Sequence, residues 1–190
     1  MSQREALLQG AKKCLVDKGY SRTTARDITA ASGAHLASIG YHFGSKDRLM
    51  NLAAMEMSSE WGDRIEHAVR SIGGENAGER LAMLVSELVR ALPGSRDLHS
   101  AALAAIAQAP FDQELRDELT ATYGHTRRTL ASVVLGTPQV EEGSAAEQGL
   151  GTLVYALVIG LGVQALTDPD SLPAPEVAAD AVRALAAAGR

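Results

Sequence analysis

The sequence predicts an all-α protein of about nine helices, and three observations support this fold class. Alanine is abundant while aromatic residues make up only 4% of the chain, a balance that favours helices over sheets. Nowhere in the 190 residues does a sustained run of β-branched side chains alternate with polar ones. Glycine and proline instead separate long segments whose apolar residues recur at helical spacing.

The first helix is predicted to end at Gly19. Its apolar side chains recur at i, i+4, i+7 and i+8 and share one face, at Leu7, Ala11, Cys14 and Leu15. We therefore expect Cys14, the only cysteine, to be a core residue rather than a nucleophile. One cysteine also excludes an internal disulfide and suits a reducing compartment.

Two short helices are predicted next. Thr24 and Asp27 form a capping-box pattern at the start of the second helix, and Gly33 ends that helix. The third helix is expected over 36–43, where Gly44 breaks it. Three short helices with a glycine-containing turn between the second and third are typical of a helix-turn-helix.

The outward face of the third helix predicts contact with DNA. Ile28, Ile39 and Phe43 are expected to pack the second and third helices together, which leaves small, hydroxyl and aromatic groups outside. A helix entering the major groove needs such groups at base edges and at the backbone, and helix N-termini also favour anions. The predicted DNA-binding residues are Thr24, Arg26, His35, Leu36, Ala37, Ser38, Tyr41, His42 and Lys46.

Charge is distributed unevenly along the chain. The net charge is −5, yet residues 1–49 hold eight basic and four acidic side chains and carry +4. The remaining 141 residues carry −9. A basic segment on an acidic body is what a phosphate-facing module attached to a different domain would show, although ordinary surface variation gives the same pattern.

Six further helices follow. Ser45 is expected to cap a long fourth helix over 46–72, which Gly73 and Gly74 end. The others are predicted at about 77–92, 97–108, 111–135, 144–167 and 175–188.

The segment 148–167 contains no charged residue and has the length of a membrane span. It has no flanking lysine or arginine and includes four glycines, so a helix buried in a core or subunit interface is the favoured interpretation. Residues 160–165 match the dinucleotide pattern G-x-G-x-x-A, but no strand precedes them and a proline follows closely. Small residues that let two helices approach explain the pattern better.

The sequence offers no positive evidence for catalysis, a cofactor or a metal. The five histidines show no H-x-x-x-H spacing, cysteines are not paired, and G-x-S-x-G does not occur. We therefore expect a protein that is not an enzyme. Residues 1–10 contain no apolar segment typical of a signal peptide, which predicts a cytoplasmic location without membrane contact.

The runs T-T-A-R-D-I-x-x-x-S-G-A and S-I-G-Y-H-F-G-S-K-D-R-L resemble the DNA-binding segment of TetR-family transcriptional regulators over residues 3–50. The resemblance implies a DNA-binding domain at 1–48 and a regulatory and dimerisation domain at 49–190. It also implies a homodimer built on the last two helices, an inverted-repeat operator, and release of DNA by a small molecule in the C-terminal domain. Candidate residues for that ligand pocket are Met57, Trp61, Met83, Phe111, Tyr123 and Tyr155.

Two positions depart from the family pattern. Gly40 stands where the family usually has a tyrosine that contacts phosphate, and His35 stands where a small hydroxyl residue often caps the recognition helix. A histidine is a poorer cap. The expected function is a ligand-responsive regulator that represses transcription. The alternative is a helical carrier of a hydrophobic ligand that does not regulate DNA.

Overall fold

The computed structural model describes residues 2–188, and this range contains nine α-helices and no strand. The predicted all-α fold is confirmed. The helices are α1 Gln3–Lys18, α2 Ala25–Ser32, α3 Leu36–Phe43, α4 Lys46–Ile72, α5 Ala77–Ala91, α6 Arg96–Gln108, α7 Gln113–Leu135, α8 Thr152–Thr167 and α9 Pro175–Ala188.

Two predicted elements begin differently from the expectation. α7 starts at Gln113 rather than 111, because the Asp112 carboxylate caps it by accepting a hydrogen bond from the Leu115 N–H at 3.1 Å. A separate 3₁₀ turn, Ala109–Phe111, precedes it. The eighth segment opens with a π-helical stretch, Ala146–Gly151, before α8.

The chain forms two compact units, each of which is discontinuous in sequence. The first unit comprises Met1–Trp61 and Asp97–Asp117, and the second comprises Gly62–Arg96 and Glu118–Arg190. The predicted boundary between a DNA-binding domain at 1–48 and a regulatory domain at 49–190 stays a prediction. The terminal residues of these two domains, 1 and 189–190, lie outside the described part of the chain.

The core of the first unit joins the three N-terminal helices to α4 and α6. Its fully buried members include Leu7 and Leu15 from α1, Ile28 from α2 and Ala101 from α6. Cys14 is also buried there, as predicted. Burial of one leucine or isoleucine side chain contributes roughly 1.5–3 kcal/mol. This shared core therefore fixes the positions of α2 and α3.

Ion pairs link the part of α4 that belongs to the first unit, residues 46–61, to its neighbours. The Lys12 ammonium of α1 contacts Glu56 at 2.8 Å and Glu60 at 2.7 Å, and its side chain is only 12% exposed. Arg48, near the start of α4, forms a two-bond pair with Glu114 at the start of α7. Bidentate and partly buried pairs of this kind restrict geometry more than exposed ones do.

In the second unit, α9 packs along α5. Val85 and Val89 of α5 form a buried cluster with Ala178 of α9. Within the segment 160–165, where a close approach of helices was predicted, Gly162 and Ala165 are buried and Gly160 is exposed. A Cβ at Gly160 would meet open space, whereas a Cβ at Gly151 would lie 2.5 Å from the Arg127 carbonyl oxygen. Gly151 therefore lets the segment that leads into α8 approach α7.

Arg80 closes the C-terminal end of α7. Its guanidinium donates to the carbonyl oxygens of Val134 at 2.8 Å, Leu135 at 2.9 Å and Gly74 at 2.8 Å. The last carbonyls of a helix have no partner within the helix and carry partial negative charge. Arg80 thus provides hydrogen-bond donors for the last carbonyl groups of α7 and connects this helix end to the loop after α4.

Arg80→Met is expected to lower the free energy of unfolding of the second unit by about 2–3 kcal/mol, because three charge-assisted hydrogen bonds to carbonyl oxygens are lost. Urea unfolding followed by far-UV circular dichroism measures the change. Arg64→Met, at an exposed position of α4, is the matched control and should stay within about 0.5 kcal/mol of the wild type. Equal stability of the two variants would contradict the capping role.

The helical stretch Ala146–Thr167 is long and apolar enough to cross a membrane by length and composition. This is weak evidence, since the core or interface helix of a soluble protein meets the same criteria. Only 22% of its most apolar segment is buried within the chain. Exposed apolar side chains on α8 and α9 include Leu153, Leu157, Val163, Val177 and Leu185.

Candidate nucleic-acid interface

A tight turn in the first unit sets α2 and α3. Gly33 ends α2 in the left-handed conformation, with φ 70°, and its N–H donates to the Thr29 carbonyl at 2.9 Å. Glycine adopts this conformation without a steric penalty. α3 then begins after His35, whose backbone is extended and whose side chain makes no capping hydrogen bond. The prediction that His35 is a poor cap is confirmed.

The buried face of α3 determines which side chains point outward. Ile39 and Phe43 are 4% and 3% exposed and pack with Ile28, which is fully buried. Tyr41 lies on the opposite side of α3 and is 86% exposed, and Leu36, at the start of the helix, is 52% exposed. An exposed aromatic and an exposed leucine on a well-supported helix are typical of a contact surface.

The predicted DNA-binding residues all lie at or near the surface of the first unit. Those classed as exposed are Thr24, Arg26, His35, Leu36, Ala37 and Tyr41, and those partly exposed are Ser38, His42 and Lys46. None of the nine is buried. Their individual contacts with DNA remain predictions.

Thr24 is held by a capping box. Its hydroxyl donates to the Asp27 carboxylate at 2.7 Å, and the Asp27 N–H donates back to that hydroxyl at 3.2 Å. Hydrogen bonds from Lys18 and from Thr24 hold the pKa of the Asp27 carboxyl well below its usual range. The start of α2 is thus fixed, and it presents Arg26 on its exposed first turn.

Lys46 is oriented at the start of α4. Its ammonium donates to the Thr23 carbonyl at 3.4 Å, pairs with Asp47 at 2.9 Å and lies 5.9 Å from the centre of the Tyr20 ring. Burial, with a smaller effect of Asp47, raises the pKa of Tyr20 to about 12, so this phenol stays neutral. Its hydroxyl donates to the Asn51 side chain at 2.7 Å, which fixes the ring.

The N-terminal turn of α1 also touches α3, which the sequence patterns did not indicate. The Ser38 hydroxyl donates to Oε1 of Gln3 at 3.0 Å, and the Arg4 guanidinium lies 5.2 Å from the centre of the Phe43 ring. These partners are far apart in sequence, so no local spacing pattern links them.

The predicted pocket residues fall in both units. In the first unit, Trp61 packs edge-on against His99 with ring centres 4.9 Å apart, while Phe111 is 86% exposed. In the second unit, the rings of Tyr123 and Tyr155 lie 5.1 Å apart, and burial raises the pKa of both phenols. Met57 and Met83 are partly exposed.

A polar cluster that the sequence patterns did not indicate lies beside the two tyrosines. The Glu147 side chain is only 6% exposed and lies 3.5 Å from Arg127 and 3.6 Å from Arg128. It also accepts a hydrogen bond from the Gly143 N–H at 2.7 Å, so its charge is compensated. The described residues contain no group of three or more side chains arranged to hold a metal ion.

The all-helical fold and the exposed side of α3 are typical of the helix-turn-helix class of DNA-binding regulators. Residues 7–53 match the family model for bacterial regulatory proteins of the tetR family, and residues 77–189 match the C-terminal model for BetI-type transcriptional repressors. The chain belongs to the TetR family of transcriptional regulators. Proteins of this family are regulators and not enzymes, which confirms the expectation from the sequence.

Individual relatives agree with this assignment. The transcriptional repressor AcnR of Corynebacterium efficiens is 29% identical over 65 residues, which are 34% of this chain and 35% of AcnR. The chain therefore matches about a third of that relative's length. A transcriptional regulator from Rhodococcus sp. RHA1 is 19% identical, with a TM-score of 0.68 over 99% of this chain and 97% of its own. A protein from Saccharomonospora viridis in complex with choline is 25% identical, with a TM-score of 0.64 over 96% and 94%.

Gly40→Tyr is expected to increase DNA affinity several-fold, since a Cβ at Gly40 meets nothing within 4 Å and the position is exposed on α3. A phenol there adds a hydrogen-bond donor for phosphate. Fluorescence anisotropy with a duplex retained by the wild-type protein measures the affinity. Gly40→Ala controls for the gain in helix propensity of about 1 kcal/mol. Equal affinity of the two variants would show that residue 40 does not face DNA.

Proposed function

We propose that the protein is a transcriptional repressor that binds an inverted-repeat operator as a homodimer and is released from it by a small molecule. DNA binding is supported by α3, which exposes Ala37 and Tyr41 on one side while Ile39 and Phe43 anchor the other side, and which exposes Leu36 at its start. The local charge of +4 over residues 1–49 supports approach to phosphate.

The homodimer is proposed to form through α8 and α9. Leu153 and Leu185 are 68% and 77% exposed, and Val177 is 60% exposed. A set of apolar side chains of this size on two neighbouring helices is rarely left in water. A two-fold axis buries the same surface on both copies and presents two recognition helices to an inverted repeat.

The effector is proposed to bind in the C-terminal domain. It releases DNA only if it binds one arrangement of the dimer better than the other. The proposal is supported by Tyr123 and Tyr155, two of the predicted pocket residues, whose rings lie next to each other. Choline is the first compound to test, because a solved structure 25% identical to this chain contains it and aromatic faces attract quaternary ammonium groups.

The repressor assignment is supported by the similarity to the repressor AcnR and by the match to the C-terminal model of BetI-type repressors. A cytoplasmic location is proposed with this function, because a regulator must share a compartment with its operator. We propose the same functional division as the sequence predicts, with DNA binding in 1–48 and regulation in 49–190.

The proposal is tested by sequencing the fragments that the purified protein retains from random DNA. We expect an inverted repeat whose half-sites are separated by about one helical turn, since each copy occupies one major groove. Retention without a shared sequence would contradict operator recognition, and a single unrepeated site would contradict the dimer.

The dimer is tested by Leu153→Glu combined with Leu185→Glu, which places charges within the exposed apolar surface. We expect a monomer in analytical ultracentrifugation and a loss of operator affinity of about a hundredfold or more, because paired binding is lost. Gln108→Glu with Gln139→Glu adds the same charge at exposed positions outside α8 and α9. This control should stay dimeric; a dimeric test variant would contradict the proposed interface.

A further inference from the structure

We propose that the first turn of α1 is a second part of the DNA-binding surface, in which Gln3 positions the Ser38 hydroxyl and Arg4 contacts a backbone phosphate. This inference rests on the proposed function. It adds two residues from another helix to the recognition helix and assigns a role to each.

Gln3 determines how Ser38 uses its single proton. The Ser38 hydroxyl donates to Oε1 of Gln3 at 3.0 Å, so its lone pairs remain available as acceptors. In the major groove, adenine N6 and cytosine N4 are the donors that an acceptor recognises. A hydroxyl free to rotate would accept from these groups or donate to guanine and thymine alike. The Gln3 contact therefore gives Ser38 a preference for an amino group.

Arg4 is a cation held beside the same helix. Its guanidinium lies 5.2 Å from the centre of the Phe43 ring, and Phe43 is itself 3% exposed and anchored in the core. Among the described residues no carboxylate pairs with Arg4. A guanidinium that stacks on an aromatic ring keeps its N–H groups free at its edge, where they suit a phosphate.

The surroundings of α1 favour this role. Ser2 and Glu5 form a capping box with each other, which satisfies N–H groups at the helix end and keeps the Glu5 carboxylate engaged with the backbone of Ser2. Gln3 and Arg4 are both exposed. The first turn thus presents an amide at Ser38 and a cation at Phe43, while the Glu5 carboxylate is bound to the backbone at the helix end.

Two measurements test the two roles, with the full-length protein and the duplex most enriched by the wild type. Arg4→Met keeps a long side chain over Phe43 without the charge. We expect the slope of log affinity against log salt concentration to become shallower by about one per protomer. Arg4→Lys should restore the slope. Arg64→Met removes the same charge from an exposed position of the second unit and should leave the slope unchanged.

For Gln3, the retained sequences are compared between the wild type, Gln3→Met and the matched control Gln9→Met, which changes the other glutamine of α1, also exposed. The wild type and the control should prefer adenine or cytosine at one position of each half-site by about fivefold or more. Gln3→Met should lose that preference while binding persists.

The outcomes separate this inference from the proposed function. If the wild type binds its selected duplex, but Arg4→Met keeps the wild-type salt slope or Gln3→Met keeps the wild-type base preference, the corresponding role of α1 is overturned and the regulator assignment stands. If the wild type retains no specific DNA, the proposed function itself fails. Thermal unfolding of each variant verifies that the first unit is intact.

Discussion

Gly10→Ala is expected to destabilise the first unit by about 2 kcal/mol, although alanine is ordinarily the better helix former. Gly10 is buried where α1 crosses α2. A Cβ there would lie 2.9 Å from the Ile28 carbonyl oxygen and 2.9 Å from the Ser32 Cβ. Both neighbours belong to the helix that supports α3, so α1 and α2 must separate to admit one methyl group. We expect DNA affinity to fall with stability, because Ile28 anchors the recognition helix.

The matched control is Gly40→Ala, the same substitution on α3 of the same unit. A Cβ at Gly40 meets nothing within 4 Å, so this variant should be more stable by about 0.5–1 kcal/mol. Urea unfolding followed by the fluorescence of Trp61, the only tryptophan, reports on the first unit. If Gly10→Ala were as stable as Gly40→Ala, the close packing of α1 on α2 would be wrong.

Tyr41→Ala combined with Lys46→Ala is expected to weaken operator binding by about a hundredfold or more, since two groups proposed to contact phosphate are removed from each protomer. The fold should be retained, because Tyr41 is 86% exposed and Lys46 makes only weak contacts, such as a 3.4 Å hydrogen bond to Thr23 and a pair with the exposed Asp47. Fluorescence anisotropy with the selected duplex measures the loss.

The control for this pair uses Phe111→Ala with Lys13→Ala. Phe111 is as exposed as Tyr41, at 86%, and Lys13 is an exposed lysine paired with Asp17 at 2.7 Å. Both lie in the first unit but outside the predicted contact surface. Near wild-type affinity is expected for the control. Similar losses in both double variants would show that the effect is not specific to α3 and the start of α4.

The helices and the candidate interface were predictable because their signals are local. The capping pair Thr24 and Asp27, the stop at Gly33 and the apolar positions Ile39 and Phe43 all lie within about one or two helical turns of the feature they specify. Local spacing determines which side of a short helix is buried, and therefore which residues it exposes.

Features that depend on distant partners were not predictable. Nothing in the sequence links Ser38 to Gln3 or Arg80 to the end of α7, because those contacts arise only when the helices pack. It was equally unpredictable that the segment 97–117 belongs to the first unit, because this segment joins the N-terminal helices through the distant, buried Ala101. The 86% exposure of Phe111 was not predictable either, because residue type alone does not determine exposure.

The most direct test of the central claim, that the first unit binds DNA through exposed α3, is the salt dependence of wild-type binding to its selected duplex. If each of two protomers neutralises several phosphates, the slope of log affinity against log salt concentration should be about −4 or steeper. A slope near zero, or equal slopes for the wild type and the Tyr41→Ala, Lys46→Ala variant, would contradict the claim.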